Sequence, residues 1–170
     1  MLITQKCKLK SASNAGDLVE YLPMDTKAYL SGYVDCEGCF CVSLNKSWRH
    51  KFGWEIRPSF SVSQNSDRSQ VLEMLKQEFG CGTIRPDRSD RTLKFELRSV
   101  EELVERVIPH FEKYPLLSNK QHEFELFAEI CRRMSRGEHH TREGFKRIIE
   151  LAFEMNPSGK RKYTKTEIKI

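Results

Sequence analysis

The sequence lacks any long apolar run. Within its 170 residues, no hydrophobic stretch reaches the ~18 residues that a membrane-spanning helix needs. The first residues also lack the apolar core of a secretory signal peptide, because Lys6, Lys8 and Lys10 interrupt it. We therefore expect neither membrane insertion nor secretion.

Cysteine is present without the context that would favour disulfides. Six cysteines and no secretory signal indicate reduced thiols inside a cell, in a bacterial cytoplasm or an organelle matrix or stroma. Cys36 and Cys39 form a C-x-x-C that Cys41 and Cys81 could complete as a zinc set. We set zinc aside because structural zinc sites usually combine two well-separated ligand pairs. Cys39 and Cys41 are two residues apart on a predicted strand, so both face the same side of the sheet as small strand residues.

The sequence also lacks the side-chain patterns of several hydrolase classes. His139 and His140 lie in a polar loop near Gly137, whereas His110 and His122 lie in helical patterns. No histidine and asparagine cluster indicates a His-Asn-His nuclease. No nucleophile-elbow sequence indicates a serine hydrolase. None of the five histidines is therefore expected to be catalytic.

Charge and length predict one basic domain. The net charge of +5 and the pI of about 8.9 suit a polyanionic partner, although many plain soluble proteins are as basic. We expect an N-terminal extension over 1–23, a single domain over 24–155 and a basic C-terminal tail over 156–170. The tail basics are Lys160, Arg161, Lys162, Lys165 and Lys169.

Hydrophobic periodicity predicts an α+β fold of order αββαββα with further C-terminal helices. Hairpins joined through helices favour one four-stranded antiparallel sheet with helices on one face. Asp25 is the expected N-cap of the first helix, and Gly38 is expected to end it in the manner of a glycine past a helix. The predicted elements are helix Thr26–Cys36, strands Cys39–Ser47 and Trp54–Gln64, a helix from Asp67 to Gly80, strands Thr83–Asp87 and Thr92–Arg98 around a turn at Asp87–Asp90, and helices Val100–Phe111, Ser118–Met134 and Arg142–Met155.

The stretch from Leu30 to Gly38, LSGYVDCEG, carries the strongest functional signal. Ser31 and Gly32 weaken a helix, since glycine costs about 1 kcal/mol relative to alanine, and close helix–helix approach would repay that cost. Two copies packed through Gly32 would bring two Glu37 carboxylates side by side. Clustered carboxylates repel one another, so their proximity favours divalent metal binding.

This stretch resembles the motif of the LAGLIDADG homing endonucleases. Three further blocks resemble that family in its own order, over roughly Asp25 to Phe153. They are Ser59–Gln64 followed by Arg68, then Phe79–Ile84, then Tyr114–Gln121. The chain holds one motif copy, and single-motif members of the family are homodimers. The resemblance thus implies a dimer interface on the motif helix, at Tyr29, Gly32, Tyr33 and Asp35.

The resemblance implies magnesium chemistry at the end of the motif helix. Glu37 matches the family's metal-binding acid, and the backbone carbonyl of Cys36 could supply another ligand, with two or three Mg²⁺ ions per dimer active site. Asp35 matches an acid that more often supports structure than binds metal. Gln64 and Arg68 match the polar pair that positions water and transition-state charge; without the resemblance they read as a strand end and a solvated helix residue. Lys120 is the candidate for the family's catalytic lysine in the later segment, although the family's register could instead place that position at Ser118 or Asn119.

One face of the predicted sheet is rich in hydrogen-bonding side chains. From the residues alone, it is either a solvated sheet face or a face that reads DNA; the resemblance favours DNA in a major groove. Its members are Ser43, Asn45, Ser47, Arg57, Ser59, Ser61, Arg85, Lys94, Glu96 and Arg98. The basic hairpin tip, with Lys46, Arg49, His50 and Lys51, and the tail basics are expected to bind phosphates.

The resemblance therefore predicts a metal-dependent, site-specific double-strand DNA endonuclease, encoded within an intron and acting on a long pseudo-palindromic target. The alternative is an RNA maturase, bound to intron RNA, or a DNA-binding regulator on the same scaffold without cleavage. A third possibility, an unrelated structural α+β domain, would make the four ordered blocks a coincidence. The presence of Glu37 favours cleavage.

Overall fold

The computed structural model describes residues 25–87, 92–155 and 161–168. The predicted extension over 1–23, most of the predicted turn at Asp87–Asp90, and the tail lysines Lys160 and Lys169 lie outside these ranges. None of the described helices is long and apolar enough to cross a bilayer.

The observed order is αββαββα followed by further helices, as predicted. Element ends agree with the predictions within a few residues, although the helix predicted at Asp67 opens as the 3₁₀ turn Ser66–Arg68. The elements are α1 (Thr26–Glu37), β1 (Gly38–Lys46), β2 (Trp54–Asn65), α2 (Gln70–Phe79), β3 (Thr83–Pro86), β4 (Thr92–Leu97), α3 (Val100–Glu102), the π-helical Leu103–Val107, α4 (Ile108–Lys113), α5 (Lys120–Ser135), the 3₁₀ turn Glu138–His140 and α6 (Arg142–Glu154).

The four strands form one antiparallel sheet in the order β1-β2-β4-β3. Alternation along β1 buries Phe40, Val42 and Leu44, while Cys39 and Cys41 face the other side and are exposed. Period-two alternation of this kind marks a sheet with one covered face. The helices cover the apolar face, and the polar face is left open.

Aromatic side chains dominate the core between the sheet and the helices. Phe60, on the central strand β2, is fully buried and its ring lies 5.2 Å from that of Phe40 and 5.7 Å from that of Phe111. Phe124 and Phe127 on α5 close the cluster around Phe40. Large buried rings contribute heavily to core stability, so α5 is fixed firmly against β1.

Two glycine-dependent turns behave differently from each other. Gly80 ends α2, as predicted, and the structure shows it in the left-handed conformation with φ of 65°. Gly38 instead has an extended backbone with φ of −77° and ψ of 154°, so the prediction of a glycine-type helix end there was wrong. A Cβ on Gly38 would lie 2.4 Å from Cγ1 of Val34. Glycine is thus needed because the chain turns directly from α1 into β1.

The C-terminal segment does not form a free tail. Arg161 donates from Nη1 to the Val42 carbonyl at 3.2 Å and from Nη2 to the Ala152 carbonyl. Burial lowers the pKa of Arg161. Ile168 is buried in the core. The prediction of a separate basic tail is therefore corrected for 161–168, which pack on the domain beside the edge strand β1.

Candidate active site and nucleic-acid interface

The candidate active site lies at the C-terminal end of α1, where Glu37 and Cys36 are both exposed. Lys120 reaches this point from the start of α5. Its Nζ donates to the carbonyls of Val34 at 3.1 Å, Cys36 at 3.3 Å and Gly38 at 2.8 Å. Helix C-termini carry unpaired carbonyls and a partial negative charge, so an ammonium group is stabilised there. The contact brings Lys120 to the end of the motif helix, where two of its acceptors, Cys36 and Gly38, flank Glu37 in sequence.

Asp35 is engaged inside its own chain. Its carboxylate accepts from the backbone amides of Leu117 at 2.9 Å and Ser118 at 3.0 Å, and from the Ser118 hydroxyl. Partial burial alone would raise the pKa of Asp35, but these hydrogen bonds hold the pKa below its ordinary value. The geometry agrees with a supporting role that fixes the 117–118 turn to α1. Ser118 thus serves Asp35, while Lys120 contacts the helix end.

Gln64 joins the same exposed surface as Glu37. Its Nε2 donates to the Tyr33 hydroxyl, and its Oε1 accepts from the Asn65 amide at 2.7 Å. A shallow depression is lined by Tyr29, Gly32, Tyr33, Cys36, Glu37 and Gln64. Arg68 does not line it; its side chain is 76% exposed and lies 4.0 Å from Asp67. The structure therefore brings Gln64 and Glu37 together but leaves Arg68 on the adjoining turn.

The two small residues of α1 face opposite ways. Gly32 is exposed, and a Cβ placed on it would meet nothing within 4 Å. Ser31 is only 3% exposed, and its hydroxyl donates to the Tyr114 carbonyl at 2.7 Å. The expectation that both residues serve a helix–helix contact between copies was thus wrong for Ser31, which ties α1 to the end of α4. Gly32 alone of the pair leaves an open groove on the surface.

A buried histidine supports the inward face of α1. His110 lies 3.2 Å from the Ser31 hydroxyl through Nε2 and 3.2 Å from Glu78 through Nδ1. Burial lowers the pKa of His110, and the Glu78 carboxylate opposes that effect. Sequence alone suggested only helix packing for His110; its pairing with Glu78 needs α2 and α4 to be placed side by side.

The open sheet face carries an ion-pair cluster centred on Glu96. The Glu96 carboxylate accepts from Arg85 and Arg98, each at 3.0 Å, and Lys94 lies 4.0 Å away. Partial burial alone would raise the pKa of Glu96, but its two arginine partners bring the pKa below the ordinary value. Glu96 thus holds two guanidinium groups in fixed positions on this face. Fixed arginines are suited to bidentate recognition of bases and phosphates.

The rest of the predicted face is less uniform. Arg57 donates from Nη2 to both carboxylate oxygens of Glu55, at 2.9 and 2.8 Å. Ser43 donates to the Arg57 carbonyl at 3.3 Å. Ser61 lies on this face but is only 6% exposed, so neighbouring side chains would have to move before it could contact a ligand. The remaining residues predicted on this surface, Asn45, Ser47, Arg49 and Ser59, are partly or fully exposed.

The donor set at the end of α1 fits a hard cation only in part. Among the described residues, no three His, Cys, Asp or Glu side chains converge as a metal site. Glu37 and the Cys36 carbonyl are oxygen donors, which Mg²⁺ prefers, and Mg²⁺ keeps several waters. A second Glu37 from another copy would bring the donor set toward what a divalent site requires.

A family model and a curated relative that match this chain are both described as endonucleases. The family model described as LAGLIDADG endonuclease matches residues 30–131. The probable intron-encoded endonuclease 2 of Neurospora crassa is 32% identical over 130 residues, which cover 76% of this chain and 29% of that protein. The chain thus spans less than a third of the length of that curated relative.

Two solved structures share the fold. The I-LtrWI LAGLIDADG homing endonuclease bound to target DNA has a TM-score of 0.78 and 35% identity, covering 84% of this chain and 48% of that chain. The archaeal intron-encoded homing endonuclease I-Vdi141I, complexed with DNA, has a TM-score of 0.77 and 30% identity, covering 84% and 91%. With the family model matching more than half of the chain, this protein belongs to the LAGLIDADG endonuclease family.

Proposed function

We propose that this chain is a homodimeric, magnesium-dependent homing endonuclease that hydrolyses both strands of a long pseudo-palindromic DNA target. The observation that carries the proposal is the end of α1. There Glu37 is exposed and, within the described residues, its carboxylate makes no hydrogen bond or ion pair. Lys120 contacts the adjoining carbonyls. Lys120 also stabilises the helix end, whereas the Glu37 carboxylate has no such structural contact in the described part of the chain, and an exposed carboxylate at this place suits metal-assisted hydrolysis.

The open groove at Gly32 supports a dimer of identical chains. Tyr29 and Tyr33 flank the groove, and their ring centroids lie 6.4 Å apart. A second copy of α1 crossing at Gly32 would be related by a two-fold axis, so each copy would present the same surface. The chain matches 48% of the length of one DNA-bound relative and 91% of another. Both matches suit a protein in which two such units act together.

Glu37 and the Cys36 carbonyl would hold Mg²⁺, with two or three ions shared by the two chains. When bound, such ions activate a water and stabilise the leaving oxygen of the phosphodiester. Lys120 would place its positive charge near the scissile phosphate. Gln64, held by Tyr33, would orient the attacking water, and Arg68 would stabilise negative charge on the phosphate from the adjoining turn.

The open sheet face would read the bases in the major groove. β-ribbons enter that groove, and each well-made bidentate contact discriminates by about 1–3 kcal/mol. Arg85 and Arg98, held by Glu96, are the strongest candidates for base contacts. Arg57, held by Glu55, is a third. The remaining polar residues of β1 and β2 would act directly or through water.

The proposal is tested by incubating the purified chain with a plasmid library that carries randomised targets, in magnesium or in calcium. Linear product in magnesium, recovered and sequenced, is the expected result, and its half-sites should be related by a two-fold axis. If magnesium gives no cutting while sequence-selective DNA binding persists, the chain is a binding protein on this scaffold. Selective binding to intron RNA instead would assign it as a maturase. In each case we place it inside the cell, where introns are processed.

A further inference from the structure

The turn that joins β1 to β2 is ordered by its own hydrogen bonds. Ser47 donates its amide to the Gly53 carbonyl at 2.9 Å, and Gly53 donates to the His50 carbonyl at 2.8 Å. The Ser47 hydroxyl lies 2.8 Å from Nδ1 of His50. Gly53 has φ of 72°, which favours glycine. The turn therefore presents its side chains in defined positions.

This turn exposes a tryptophan that the fold does not use. The sequence has two tryptophans, and they differ sharply. Trp54 is 6% exposed and its ring packs 4.9 Å from that of Tyr163. Trp48 is 87% exposed. An indole has a large apolar surface, so an exposed tryptophan on an ordered turn offers that surface to a molecule outside the chain.

The surroundings of Trp48 are cationic. The segment 46–53, KSWRHKFG, contains no acidic residue. The guanidinium of Arg49 lies 5.4 Å from the centroid of the Trp48 ring. Lys51 donates to the His140 carbonyl at 3.1 Å, which fixes the turn to the connection before α6. An exposed aromatic ring among positive charges suits nucleic acid, whose phosphates flank apolar sugar and base surfaces.

Strand geometry gives the position of the turn along a bound duplex. β1 runs from Gly38, beside the candidate active site, to Lys46 at the turn. Eight residue steps at roughly 3.3 Å each give about 26 Å. Since each base pair rises 3.4 Å in B-DNA, a β1 strand that lay along the duplex would place the turn about 8 base pairs from the point of cleavage.

We propose that Trp48 binds the outer end of each DNA half-site, with its indole against sugar and base edges and Arg49 on a neighbouring phosphate. This inference rests on the proposed DNA target and assigns Trp48 as a positioning residue for it. The contact sets how far each half-site extends and holds β1 in register along the groove. It is distinct from the base contacts of the sheet face.

The first test measures acrylamide quenching of Trp48 fluorescence in the free protein and in its complex with the duplex recovered by the cleavage selection. Calcium replaces magnesium in both samples. The signal of Trp48 is the difference between the unmodified protein and Trp48→Phe, since Trp54 is buried. Target binding is expected to lower the quenching constant of Trp48 at least twofold. If Trp48 stays equally quenchable while the duplex is bound, the inference fails and the proposed function stands. If no duplex is bound selectively, both fail.

The second test combines a protein change with a DNA change. Trp48→Ala is expected to weaken binding to the full target about tenfold, which corresponds to about 55 Å² of apolar surface no longer buried. On a target shortened to about 6 base pairs per half-site, the same variant should bind as the unmodified protein does. Equal weakening on both duplexes would overturn the inference, because a general effect on folding would not depend on DNA length.

The salt dependence of DNA affinity distinguishes the apolar contact of Trp48 from the phosphate contact of Arg49. Arg49→Ala should reduce the slope of log K against log salt by about 0.9, since it removes one phosphate contact. Trp48→Ala should leave that slope unchanged. If Trp48→Ala changes the slope as Arg49→Ala does, the tryptophan acts by placing charge and the apolar contact is refuted. If acrylamide quenching falls only on adding an acidic protein, Trp48 serves a protein partner instead.

Discussion

Substitution of Gly32 should separate the stability of one chain from the association of two. Gly32 lies in the interior of α1, and a Cβ there would meet nothing within 4 Å. Gly32→Ala should therefore stabilise the isolated chain by about 1 kcal/mol, because alanine has the higher helix propensity. The same methyl should obstruct the crossing of two α1 helices at this point.

The expected loss of association follows from the symmetry of the dimer. Overpacking a close contact costs about 1–3 kcal/mol, and a two-fold axis introduces the methyl twice, which gives about 2–6 kcal/mol. The lower figure corresponds to a roughly 30-fold weaker dimer. Sedimentation over a concentration series measures this association, and chemical unfolding at low concentration measures the stability of the single chain.

Gly144→Ala is the matched control for the Gly32 experiment. Gly144 lies in α6, where a Cβ would lie 2.2 Å from the Glu138 carbonyl oxygen. This variant should therefore destabilise the chain without altering the intrinsic contact between α1 helices. If Gly32→Ala sediments as the unmodified protein does, with the same dissociation constant, the dimer does not form through this face and the reasoning is refuted.

Three further predictions concern the site and the sheet face. Hydrogen bonds lower the pKa of Asp35 in the folded chain. The ionised Asp35 should therefore stabilise the fold above pH ~4, and this stabilisation should be lost as the pH falls through the lowered pKa. Asp35→Asn should have a free energy of unfolding about 1 kcal/mol smaller at pH 7, and in urea titrations at acid pH this difference from the unmodified protein should disappear. Lys120→Met should slow single-turnover cleavage at least about 100-fold with target binding retained, whereas Lys113→Met should not; equal rates for the two variants would contradict the assignment. Glu96→Gln should free its arginines and raise affinity for unrelated DNA, so competition binding should show a smaller specificity ratio; an unchanged ratio, as expected for Glu112→Gln, would oppose the role given to Glu96.

Local patterns predicted most of the fold. Alternation in β1 and β2, the N-cap at Asp25 and the helix end at Gly80 all follow from short-range rules, and the structure confirms them. The error at Gly38 also has a local cause. A glycine past a helix usually turns left-handed, but here the strand begins at once and glycine is required by the approach of Val34.

What sequence could not supply is pairing across long separations. The contacts of Lys120 with the end of α1 span 82 to 86 residues, and that of Arg161 with Val42 spans 119. The family resemblance indicated Lys120 but not its partners, and the basic composition around Arg161 suggested a separate tail that binds phosphates. Likewise, Ser61 is buried on a central strand between Cys39 of β1 and Glu96 of β4, and only the sheet order brings these two neighbours to it.

The central claim is that Glu37 is the metal-binding carboxylate for DNA hydrolysis. Glu37→Gln is a nearly isosteric change, and because Glu37 is exposed the substitution should have little effect on folding. The most direct measurement is single-turnover cleavage of the selected target in magnesium by this variant and the unmodified protein, with DNA affinity measured in calcium alongside. The account predicts at least a 1,000-fold slower cleavage, about 4 kcal/mol of transition-state stabilisation, with affinity within about tenfold. Cleavage by Glu37→Gln within tenfold of the unmodified rate would contradict it.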